Sequence, residues 1–127
     1  MRYFLDNCIS FKFAAMLRAI EEDVVALRDE FPQGITDVDL LRELKGRDLV
    51  FVSLDRKQLT RVVEASQLKA AGISAVYFGP FFSDFGFWKQ AEWMVTRWRR
   101  IDSTIGGLVR GSIIEVKQNG KGFNAAV

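Results

Sequence analysis

The stretch Leu49-Val50-Phe51-Val52-Ser53-Leu54 is an almost unbroken apolar run, and it restricts the fold more than any other feature of the chain. A strand with one wet face alternates polar and apolar residues. A run without alternation fits a strand covered on both faces, as in parallel sheets held between helices. Tyr3-Phe4-Leu5, the β-branched residues 23–27 and the run Ile-Ser-Ala-Val-Tyr-Phe at 73–78 predict three further strands. Between them the sequence predicts helices. Ser10 is an N-cap for a helix to about Glu22, Thr36-Asp37 open one over 38–45 that Gly46 stops, and residues 60–71 form one closed by Gly72. Residues 28–35, with Pro32 and Gly34, predict a loop, as does the aromatic stretch 79–85, and 88–100 predict a helix. Past Gly106-Gly107 a strand over 111–117, an Asn119-Gly120 turn and a return over 121–123 predict a C-terminal β-hairpin extension. The expectation is one α/β domain spanning residues 1–127, with a mainly parallel central sheet and helices outside it.

Composition narrows the chemistry. There is no histidine, so Ser-His-Asp triads, His-ligated zinc and Cys-His nucleophile pairs are excluded. Neither a Walker-type nor a dinucleotide-type glycine loop is present. Cys8 is the single cysteine, so no internal disulfide framework is expected, and a buried structural thiol is the favoured reading of it. Residues 1–5 lack the basic start and long apolar run of a signal peptide, and no apolar stretch approaches the ~20 residues that span a bilayer. A cytoplasmic protein without membrane contact is the expectation. Net charge is only +2, but Arg97, Arg99, Arg100, Arg110, Lys117 and Lys121 load the last third with positive charge. A solvated helix face is the plainer reading of that cluster, and a phosphate-tracking surface the alternative.

The carboxylates carry the sharper expectation. Two predicted strands run directly into aspartate, Phe4-Leu5-Asp6-Asn7 and Ser53-Leu54-Asp55-Arg56, and Asp37, Asp39 and Glu43 lie on the helix preceding the second. In open parallel sheets functional residues gather beyond the carboxyl ends of the strands. Carboxylates gathered there repel one another unless a cation neutralises them, and oxygen ligands without His or Cys suit Mg²⁺ or Mn²⁺. Each acid has an ordinary alternative, as helix cap, solvated face or turn residue.

This arrangement resembles the PIN-like domain family, in particular the short VapC-like toxins. Met-Arg-Tyr-Phe-Leu-Asp-Asn-Cys at 1–8 is similar to the first strand and first metal-binding acid of that family, and Asp-Val-Val-Ala-Leu at 23–27 to its second strand. Ile-Thr-Asp-Val-Asp-Leu-Leu at 35–41 resembles its second acidic motif, and Leu-Val-Phe-Val-Ser-Leu-Asp-Arg-Lys at 49–57 the strand ending in its third acid. The resemblance covers residues 2–78. It implies a three-layer α/β/α fold and a ribonuclease, in family terms the toxin of a toxin–antitoxin pair, cutting RNA with Mg²⁺ or Mn²⁺. Asp6, Asp37 and Asp55 would be the metal-binding and catalytic acids, with Asp39 the alternative second acid, and Asn7, Arg56 and Lys57 would contact the substrate. RNA and an antitoxin protein are the partners the resemblance implies, while the Trp- and Arg-bearing helix with Trp88, Glu92, Trp93, Arg97 and Arg100 is where a partner or a second copy of the chain would dock. The chain departs from the family in having no carboxylate between Asp55 and Glu64 and in a strand that ends at Gly79, leaving Asp84 as the nearest acid. The competing expectation is a non-catalytic interaction module using the aromatic helix and the basic C-terminal part. The aromatic residues Phe78, Phe81, Phe82, Phe85, Phe87 and Trp88 read mainly as core or interface, and otherwise as a stacking platform for bases.

Overall fold

The computed structural model describes residues 2–54 and 65–124. Five strands run parallel: β1 (Arg2–Leu5), β2 (Val24–Ala26), β3 (Leu49–Ser53), β4 (Ser74–Phe78) and β5 (Ile113–Val116). A sixth, β6 (Gly122–Asn124), lies antiparallel to β5, across a turn in which the Gly120 amide donates to the Lys117 carbonyl. The spatial order is β2-β1-β3-β4-β5-β6. From β1 the chain moves to one side to form β2, then crosses back to form β3 on the other. The strand order therefore switches direction between β1 and β3, and such a switch opens a crevice at the carboxyl ends of the two strands.

Helices are α1 (Phe11–Ala19), α2 (Leu27–Glu30), α3 (Asp37–Leu44), α4 (Ala65–Ala70), α5 (Pro80–Asp84) and α6 (Phe87–Gly106). Their starts follow local chemistry. The Ser10 hydroxyl accepts from the Lys12 amide at 3.2 Å, and the Thr36 hydroxyl from the Asp39 amide at 3.1 Å, each satisfying an amide that has no partner in the first turn. Thr36 thus supplies a cap for α3. Three expectations about elements need correcting. A helical turn, α2, stands at the start of the expected loop, α5 replaces most of the aromatic loop, and α6 runs to Gly106 because Ile101 and Ile105 continue its buried stripe past Arg100.

Alternate side chains of β1 to β5 face two separate cores. Tyr3, Leu5, Val50, Val52, Val76, Phe78 and Ile114 pack beneath α1 and α6, against Phe13, Leu17, Trp93, Met94 and Trp98. Phe4, Leu49, Phe51, Ala75 and Ile113 pack on the opposite face against Leu27, Phe31, Leu40, Leu44 and Leu68. This is the three-layer arrangement, and it explains why β3 and β4 are buried along their whole length. Each fully buried large apolar side chain contributes about 1.5–3 kcal/mol. No described helix is long and apolar enough to cross a membrane.

Candidate functional site

The β1–β3 ladder continues past the end of β1, where the Asp6 amide donates to the Val52 carbonyl at 2.8 Å. That bond fixes Asp6 at the switch point. The residue is 5 % exposed, and its carboxylate is held from three sides. Ser53 Oγ, at the tip of β3, donates to Oδ2 at 2.9 Å, the Asn7 amide donates to Oδ1 at 2.7 Å, and Cys8 Sγ approaches Oδ2 at 3.5 Å. Burial pushes the Asp6 carboxyl above its ordinary range, and the hydrogen bonds from Ser53, Asn7 and Cys8 only partly offset this. Cys8 is exposed as a residue, contrary to the expectation of a buried thiol. Desolvation around its sulfur still pushes the thiol up to about 11, so it stays protonated at neutral pH.

Asp6 opens onto two adjoining clefts. One, of about 200 Å³, is walled by Asn7, Leu27, Arg28, Gln33, Ile35 and Leu40. Ile35 and Leu40 flank the first turn of α3, so the helix that begins at Asp37 borders the cleft of Asp6. The other, of about 220 Å³, is walled by Asn7, Ile9, Ser10, Phe11, Arg28 and Gln33. Asn7 is exposed on both. Asp39 stands elsewhere: its carboxylate takes Arg42 at 3.3 Å and lines a neighbouring cleft with Glu30, Glu43 and Arg47, without Asp6. Asp55, Arg56 and Lys57 lie outside the described residues.

The positive charge of the last third is engaged mostly within the chain. Arg99 pairs with Glu22, Arg110 with Asp48 and Lys117 with Glu115, while Arg100 donates to the Asn119 carbonyl. The aromatic residues divide. Phe78 and Phe82 are buried, Phe81 and Phe85 pack partly buried against the core, and Phe87 and Trp88 are exposed. Sequence reasoning missed two residues of the rim. Ser53 sits inside an apolar run and reads as filler, yet it bonds Asp6. Arg28 directly follows the strand-like residues 23–27, the one signal that placed it at a strand's carboxyl end.

A family model described as PIN like domain matches residues 1–79, which take in β1 to β4. The chain belongs to the PIN-like domain family, a family of nucleases. No curated protein and no solved structure gives a significant match.

The donor set can be weighed against the hard cation that the carboxylate pattern implies. Asp6 is a buried carboxylate that forms no ion pair with any described residue, so its charge lacks a counter-charge there. Its oxygens retain acceptor capacity beyond the bonds from Asn7 and Ser53. Among the described residues no group of three or more His, Cys, Asp or Glu side chains is close enough to hold a metal. Asp6 therefore fits as one oxygen ligand, and the described residues alone do not complete a metal site around it.

Proposed function

We propose that the chain is a metal-dependent endoribonuclease whose centre is Asp6, with Asp37 and Asp55 as its companions. The observation that carries this reading is the buried Asp6 carboxylate at the β1–β3 switch point, hydrogen-bonded by Ser53 from the strand that leads to Asp55. Membership of a nuclease family over residues 1–79 supports it. Asp6 would hold the cation, and Ser53 and the Asn7 amide orient its two oxygens and favour the ionised form. Mg²⁺ or Mn²⁺, when bound, polarises the phosphodiester and lowers the pKa of an attacking water. Asn7, exposed on the clefts, would contact the strand, and Arg56 and Lys57, which follow the third acid in sequence, would contact phosphates. Asp39, occupied by Arg42, ranks behind Asp37 as the second acid. The finer assignment, the toxin of a toxin–antitoxin pair acting in the cytoplasm, rests on the resemblance of the three motifs to the short VapC-like toxins.

The experiment is a calorimetric titration of Mn²⁺ into wild type and Asp6→Asn, alongside cleavage of a labelled RNA. Binding and cleavage are expected in wild type, and both are expected to vanish in the variant while the fold is retained. Cleavage that persists unchanged in Asp6→Asn would sink the assignment.

A further inference from the structure

Three cations on the carboxyl side of the sheet stand against aromatic rings rather than carboxylates. The Arg28 guanidinium lies 4.5 Å from the ring centre of Phe11, Lys12 Nζ 5.9 Å from that of Phe87, and Lys89 Nζ 4.4 Å from that of Phe85. None of the three forms an ion pair with a described residue. Arg2, Arg18, Arg42, Arg47, Arg99 and Arg110 all do. Two of these rings are open, Phe11 at 41 % and Phe87 at 47 % exposed, and Trp88 beside Phe87 is 85 % exposed, while Phe85 packs partly buried against the core.

These residues form one surface. Phe13 stacks on Phe87 with centroids 5.1 Å apart, which sets the first turn of α1 beside the first turn of α6, and Trp88 meets Phe87 edge-on. Neither helix carries a carboxylate in its first turn. At the near end, Phe11 and Arg28 line the 220 Å³ cleft that Asp6 also lines. The surface thus runs from the Asp6 cleft past Arg28 and Phe11, on to Lys12 and Phe87, and out to Trp88 and Lys89.

We propose that the first turns of α1 and α6 form a track for an unpaired RNA strand and lead it to the Asp6 cleft, an inference that deepens the nuclease reading and rests on it. An unpaired strand offers regularly spaced phosphates to the cations and bare base faces to the rings, and base–aromatic stacking is worth ~1–3 kcal/mol per base. A duplex hides its base faces and has no use for the rings. An acidic protein surface would meet the cations but would not call for an open ring beside them. Continuity with the cleft of the buried carboxylate favours the strand over both.

The test is titration of a short fluorescein-labelled oligouridylate into the full-length chain in EDTA, read by anisotropy, with tryptophan emission followed on the unlabelled strand. The strand is expected to quench Trp88, and Trp88→Phe should lose most of the quench while keeping affinity within a few-fold. The combined Lys12→Ala, Arg28→Ala, Lys89→Ala variant is expected to bind at least about 10-fold more weakly, with a slope of log K against log salt shallower by about 0.7 for each phosphate no longer neutralised. All three side chains are exposed, and an unchanged thermal midpoint would verify the fold. Wild-type affinity and slope in that variant, equal competition by duplex RNA, or a dimer that dissociates on Trp88→Ala with RNA binding unaltered would each overturn the track. The readouts separate the two readings. Track-dependent binding without Mn²⁺ uptake or cleavage keeps the track and refutes the nuclease, and Asp6-dependent cleavage indifferent to the track variants does the reverse.

Discussion

At the amino end of the sheet, Arg2 meets Asp23 at 3.0 Å beside the starts of β1 and β2, and Arg110 meets Asp48 between the approaches to β5 and β3. At the carboxyl end, Asp6 has no cation among the described residues, and Arg28, Lys12 and Lys89 have no carboxylate there. Among the described residues, the charges beside the Asp6 clefts are therefore left without counter-charges, while Arg2 and Arg110 at the amino end are paired. Leaving a buried carboxylate uncompensated lowers stability. Such a cost, at the end where strand tips and clefts converge, is what the proposed metal centre would call for.

Three perturbations probe this contrast, in decreasing order of effect. Ser53→Ala removes the hydroxyl that donates to Asp6 and is fully buried. Mn²⁺ affinity is expected to fall about 10–100-fold, as for other partners that orient a metal ligand. Because Ser53 favours the ionised Asp6, the acid limb of the cleavage profile should also move to higher pH. An unmoved limb would mean that Ser53 only packs.

The next effect is on stability in metal-free buffer. The folded Asp6 carboxyl lies above its ordinary value, so the native state binds its proton more tightly than the unfolded chain does. This group's contribution is then most favourable below the ordinary carboxylate range and is lost as pH rises towards the raised native value. Urea melts of wild type against Asp6→Asn should diverge over that window, with the variant the more stable above it. Parallel curves would show that Asp6 is compensated after all. The smallest effect belongs to the amino end. Arg110→Ala breaks an ion pair whose two side chains are each 55 % exposed, so it should cost no more than about 1 kcal/mol and leave cleavage as in wild type. A larger loss, or any loss of cleavage, would erase the distinction between the two edges.

Much of this contrast was legible in sequence, for identifiable reasons. The run at 49–54 declares its two covered faces, and Asp6 follows a strand too short and apolar to be anything but buried. Ser10 and Thr36 announce their helices because a capping hydroxyl is a local device. What sequence concealed depends on packing. Residues 27–30 and 80–84 coil because Leu27 and Phe82 have pockets to fill, on opposite faces of the sheet. No local pattern shows that Arg28 stands apart from the described carboxylates, since that follows from where every neighbouring acid lands. The partners of the basic last third were hidden in the same way: Glu22 and Asp48, far off in sequence, are what engage Arg99 and Arg110.

One bond bears on how such a protein comes into being. Tyr3 donates to Asp102 across 99 residues of chain, with its ring edge-on to Trp98. The strand that presents Asp6 is thus roofed by a helix that leaves the ribosome long after it. The family-matched residues 1–79 expose Tyr3, Leu5, Val52 and Phe78 until α6 arrives to cover them. A nascent chain still tethered to its message would hold the acid-bearing strands in an unfinished core. The end of the sheet that carries Asp6 would then take its final shape only when α6 docks.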